Sequence, residues 1–143
     1  MRFRLRTLVI VLITSGFLFT SPIRSASAAD KGLNGRWKVI TTMRGGKPLK
    51  DAVGQFATFL DGRYIQEDER GRVTSTGSFT IDSSGKPPTI DTRSDSDEIN
   101  LGVYELRGDS LEICWGYSKR PKTLDSSQNK TFVHFMFVRV PDE

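Results

Sequence analysis

The sequence predicts an all-β protein: a small antiparallel barrel of about eight strands in up-and-down order. Three observations carry this. No amphipathic helical run of convincing length occurs after residue 30, whereas short apolar runs punctuated by Gly, Asp and Ser recur. The segment Arg72–Ile81 alternates cleanly, with Val73, Ser75, Gly77, Phe79 and Ile81 on one side and Thr74, Thr76, Ser78 and Thr80 on the other. Gly102–Leu106 and Ser110–Trp115 flank Arg107-Gly108-Asp109, the pattern of a β-hairpin.

The chain opens on a targeting pattern. Arg2, Arg4 and Arg6 form a basic start, and Thr7–Thr20 is an apolar stretch of secretory h-region length. Ser25–Ala29 follows with small side chains, so a cleavable signal peptide is expected over residues 1–29, cut after Ala28 or Ala29. The apolar run is shorter than the ~20 residues that span a bilayer, so no stable membrane insertion is expected after cleavage. No Cys follows to carry a lipid, and no twin-Arg pair is present. The expected destination is extracytoplasmic, periplasmic or secreted.

Removing that segment changes the electrostatics. Four of the 21 Lys and Arg lie within residues 1–29, which hold no acid, leaving 17 basic against 17 acidic groups. A neutral domain gives no basic stripe for nucleic acid or anionic membrane. Residues 30–143 suffice for one domain, expected to be a monomer. Cys114 stands alone, so no intramolecular disulfide forms, and a buried, inert thiol is the expectation.

Taken in order, Trp37–Met43 reads as the first strand, with Trp37, Val39 and Thr41 on one face. Gly45–Pro48 is a loop, and Ala52–Leu60 begins as a turn and becomes a strand. Asp61-Gly62 makes a tight hairpin to Arg63–Glu67. After Arg72–Ile81, Ser83–Pro88 breaks the chain and Thr89–Thr92 reads as a short edge strand. Arg93–Asn100 reads as a polar, mobile loop. The central hairpin, a loop over Ser118–Lys130 and a last strand over Thr131–Val140, apolar on both faces, complete the domain.

Several spaced motifs carry a resemblance. Gly35-Arg36-Trp37-Lys38-Val39, Lys86-Pro87-Pro88-Thr89-Ile90-Asp91, Gly102–Leu106, Gly108–Cys114 and Arg120-Pro121 together resemble an uncharacterised lipocalin-like domain family abundant in planctomycete bacteria. The resemblance runs from Leu33 to about Val140 and implies a lipocalin-like barrel and an exported protein, without an activity. Gly-x-Trp also resembles the first strand of lipocalins generally, where the Trp plugs the closed end beneath an Arg of the last strand. The matching positions are Gly35, Trp37 and Arg139, a structural barrel closure.

Chemistry-bearing residues are sparse. His134 is the sole His; a symmetric closure over Ser118–Lys130 sets it opposite Cys114, an arrangement also found in thiol nucleophiles. No third orienting group is indicated, so no enzymatic activity and no cofactor are expected. One His and one Cys cannot complete a zinc site, and Asp91, Asp95, Asp97 and Glu98 fit no calcium loop, so no metal is expected. Arg107-Gly108-Asp109 spells an adhesion tripeptide that a tight turn also requires. What remains is the interior. Tyr64, Phe79, Tyr104, Trp115, Phe135 and Phe137 are the candidate lining for a small apolar or amphipathic ligand. The competing reading is a filled barrel that binds protein or polysaccharide through Arg93–Asn100 and Ser118–Lys130, with Tyr117 near a rim.

Overall fold

A computed structural model describes residues 32–142; the expected signal peptide lies outside the described residues. The strands are β1 (Gly35–Arg44), β2 (Lys47–Pro48), β3 (Phe56–Leu60), β4 (Arg63–Glu67), β5 (Val73–Asp82), β6 (Thr89–Ser94), β7 (Ile99–Arg107), β8 (Ser110–Gly116) and β9 (Val133–Arg139). Each long strand pairs antiparallel with its neighbour, and β9 returns to β1 through seven residue pairs from Trp37↔Arg139 to Arg44↔Val133. The result is a closed eight-stranded up-and-down barrel, with β2 an extra two-residue strand folded back on the end of β1. Closure leaves the eight barrel strands without a free edge, and eight strands enclose an interior wide enough for side chains or one small ligand.

The turns follow their residues. Asp61 and Gly62 both take positive φ, +48° and +83°, the mirror-image turn that Asp-Gly favours between twisted strands. Arg107↔Ser110 closes the β7–β8 hairpin around Gly108 and Asp109. Residues 51–54 turn before β3, with the Val53 amide donating to the Lys50 carbonyl at 3.1 Å.

Four expectations change. The pairing of β1 with β9 slips between Val39 and Thr41, a bulge at Ile40, so Thr42 and not Thr41 joins Trp37 and Val39 inside. A second slip leaves Thr74 unpaired between β4 and β5; Val73 therefore turns outward and is 61% exposed. Thr89–Ser94 is not an edge piece, because β5 and β7 flank it. Arg93–Asn100 is ordered structure: β6 runs through Ser94, β7 starts at Ile99, and the Ser94 Oγ accepts the Glu98 amide at 2.9 Å across the turn.

One core fills the lower barrel: Leu33, Trp37, Phe59, Ile90, Tyr104, Leu111 and Ile113 are all buried. A smaller cluster of Val103, Cys114 and Phe132, with Leu124 against it, sits under the β8–β9 loop on the outside of the sheet. This explains why the last strand is apolar on both faces. Its inner face packs in the barrel, and its outer face lies beside that covered flank.

Candidate functional site: the barrel interior and its mouth

The two barrel ends are built from different residue types. At the closed end, Arg139 lies over Trp37, with Cζ 4.3 Å from the ring centroid. Its guanidinium donates to the Asn34 carbonyl at 2.9 Å and the Gly32 carbonyl at 2.7 Å, and its Nε donates to Asp109 at 3.1 Å. Trp37 in turn donates Nε1–H to the Leu33 carbonyl at 2.9 Å. One cation thus satisfies two carbonyls of the entering chain and caps an indole, an arrangement worth more than a surface ion pair. Gly35 permits it. Its φ is +136°, and a Cβ there would lie 2.8 Å from an Arg139 nitrogen. Asp109, the acid of the adhesion-like tripeptide, is a partner of this closure.

The opposite end is open. β1, β4, β6 and β8 finish there, and β5, β7 and β9 start there, so inward residues near those termini form a mouth. Behind it lies a cavity of about 310 Å³, at the lower end of the range for small-molecule sites. Its walls differ. β8, β9, β1 and β3 contribute Trp115, Phe135, Phe137, Val39, Ala57 and Phe59. β4 to β7 contribute Gln66, Ser75, Thr92, Ser94 and Asn100, with Tyr64 as their aromatic member. The interior is amphipathic across its width.

Of the six candidate lining residues, Tyr64, Trp115, Phe135 and Phe137 reach this cavity. Phe79 and Tyr104 do not. Phe79 meets Phe59 edge-on at 5.2 Å, and Tyr104 is 3% exposed within the same core. Two glycines make room for the aromatics. A Cβ on Gly102 would fall 2.7 Å from the Trp115 ring, and one on Gly77 would fall 2.6 Å from the Tyr64 ring. The polar wall was absent from the sequence expectation. Its signal was period-2 continuation, since Tyr64 leads to Gln66 and Ile90 leads to Thr92 and Ser94.

The thiol occupies a different place. Cys114 does pair with His134 in the ladder, but on the outer face, as Trp115 and Ile113 point inward on either side of it. It is fully buried, and burial with the Asp125 charge pushes the thiol up to about 11. His134 Nε2 lies 3.7 Å from Glu112. The acids of the loop region part company as well. Asp91 forms a bidentate pair with Arg120, at 2.6 and 2.9 Å, and Asp95 pairs with Arg63 at 3.0 Å. The Arg63 hydrogen bonds, then Thr76, hold the Asp95 carboxyl below the usual range. Among the described residues no group of three or more His, Cys, Asp or Glu is placed to hold a metal ion.

No family model matches this chain, and no curated protein matches it.

Proposed function

We propose that this protein is an exported carrier that binds one small amphipathic molecule inside its barrel. The observation that carries the reading is the two-sided cavity: an aromatic and aliphatic wall faces hydroxyl and amide side chains, and the space opens at one end. Thr92, which accepts from Asn100 at 3.4 Å, and Ser94, which caps the β6–β7 turn, are the buried hydroxyls of the wall that faces Phe135. At about 30 Å³ per water-sized group, 310 Å³ accommodates a ligand portion of about ten such groups. Export is supported by the leader pattern at residues 1–29.

A titration with 1-aminoanthracene, a neutral fluorescent aromatic, tests it. Saturable binding at one site per chain is expected, and Ser75→Trp, which fills the mouth side of the cavity, should abolish it while leaving the far-UV spectrum unchanged. Equal binding by wild type and Ser75→Trp would place the probe elsewhere. Absence of binding would favour the alternative, a barrel that acts through its loops, where Tyr117 is 61% exposed.

A further inference from the structure

The mouth carries charge in a specific arrangement. Arg44 ends β1, and Glu98 sits on the turn between β6 and β7. The ring runs β1, β3, β4, β5, β6, β7, β8, β9 and back to β1, so β6 lies directly across the barrel from β1. Both residues line the cavity. Other charges on these strands and turns are engaged. Arg36 pairs with Glu67 at 3.5 Å, Arg63 with Asp95 at 3.0 Å, and Arg93 with Asp97 at 3.8 Å. Arg44 and Glu98 belong to no ion pair among the described residues.

The two adjoining connections at β1–β3 and β8–β9 hold Lys47 and Lys50 against Asp51, and Lys130 against Asp125, while Lys119 and Lys122 border a groove on the outer flank. Those connections are joined by the Gly45 amide on the Phe132 carbonyl at 3.0 Å and the Gly46 amide on the Ser126 hydroxyl at 3.1 Å. Across the mouth, the β4–β5 and β6–β7 connections hold Asp68, Glu69, Asp95, Asp97 and Glu98; Arg72, Arg63 and Arg93 pair with Asp68, Asp95 and Asp97, which leaves Glu69 and Glu98 against Arg70. The mouth therefore sets Arg44 on one side across from Glu98 on the other, above a chain-sized interior.

We propose that this mouth selects an amphiphile with a zwitterionic head, its negative group toward Arg44 and its positive group toward Glu98. The proposal rests on the carrier reading and names the ligand class for that same cavity. A purely anionic head would gain at Arg44 and lose at Glu98, and a cationic head the reverse. Only a head bearing both signs satisfies both rims, while its apolar tail takes the wall of Trp115, Phe135 and Phe137. Each partly exposed charge contact is worth up to about fivefold in affinity.

Four decyl probes below their micellar concentrations separate the cases by tryptophan fluorescence: decanol, decanoate, decyltrimethylammonium and decyl-dimethylglycine. The zwitterion should bind three- to tenfold tighter than decanol, a preference that collapses in 1 M salt as screening shortens to about 3 Å. Arg44→Gln and Glu98→Gln should each weaken the zwitterion about two- to fivefold and leave decanol unchanged. If decanol binds as tightly as the zwitterion, or if Glu98→Gln has no effect while Arg44→Gln weakens decanoate, the head-group assignment is wrong and the carrier reading survives. If none of the four binds, the carrier reading fails and this inference fails with it.

Discussion

Replacing Gly35 by Ala probes the closed end through a single methyl group. The added Cβ meets two penalties. At φ +136° an L side chain sits in a backbone region that costs about 1–3 kcal/mol. The methyl also enters the space of an Arg139 guanidinium nitrogen, 2.8 Å away. Displacing that group weakens a cation–π contact of about 0.5–2 kcal/mol and two charge-assisted hydrogen bonds of about 1.5–3 kcal/mol each. Because the long arginine retains part of these contacts when it shifts, about 3–5 kcal/mol is the expected total, a large share of a typical 5–15 kcal/mol stability. Urea unfolding followed by tryptophan fluorescence and far-UV circular dichroism measures it. A double-mutant cycle then isolates the clash. In an Arg139→Ala background, Gly35→Ala should cost only the backbone strain, so the two changes should fall short of additivity by about 1–2 kcal/mol. A loss under 1 kcal/mol for Gly35→Ala, or strict additivity, would refute the link between the glycine and the guanidinium.

Two further perturbations test the buried interior. Trp37→Ala removes a fully buried indole and should cost about 3–5 kcal/mol in the same urea assay, whereas a cost under 1 kcal/mol would contradict its burial. The Cys114 thiol, raised from 9.0 to about 11, keeps its proton in the fold after the unfolded chain has lost it. Its contribution is therefore complete below pH 9 and disappears as pH rises toward 11. By pH 11 the wild type should lose about 2 kcal/mol more than Cys114→Ala, and parallel pH dependence of the two proteins would show that the thiol is accessible.

Much of this architecture could be read from the chain because local chemistry dictates it. Asp61-Gly62 specifies its own turn, the Arg72–Ile81 alternation specifies a two-faced strand, and the loop after Trp115 is symmetric enough to set Cys114 against His134. Gly35, Trp37 and Arg139 likewise mark the closed end. The bulges at Ile40 and Thr74 were hidden for a physical reason. Val39-Ile40-Thr41-Thr42 is uniformly β-branched, so any of its registers suits a strand, and ring closure chooses among them. The polar wall was hidden for the opposite reason. Thr92, Ser94 and Asn100 alternate correctly, but polar inward residues look like solvent-facing ones until the barrel closes over them. Arg44 ends β1 and Glu98 sits on the β6–β7 turn, far apart in the chain and on parts of the sheet that never pair, so only the ring order sets them face to face.

The proposed carrier role requires a small molecule in the barrel interior. Native and denaturing mass spectrometry of the protein, isolated gently from its own host, compares the intact particle with the bare chain. The account predicts a reproducible additional mass in the native spectrum, of amphiphile size, absent after denaturation and absent from Ser75→Trp prepared in the same way. Identical native and denatured masses for the wild type would contradict it and leave the loops at the mouth as the functional surface.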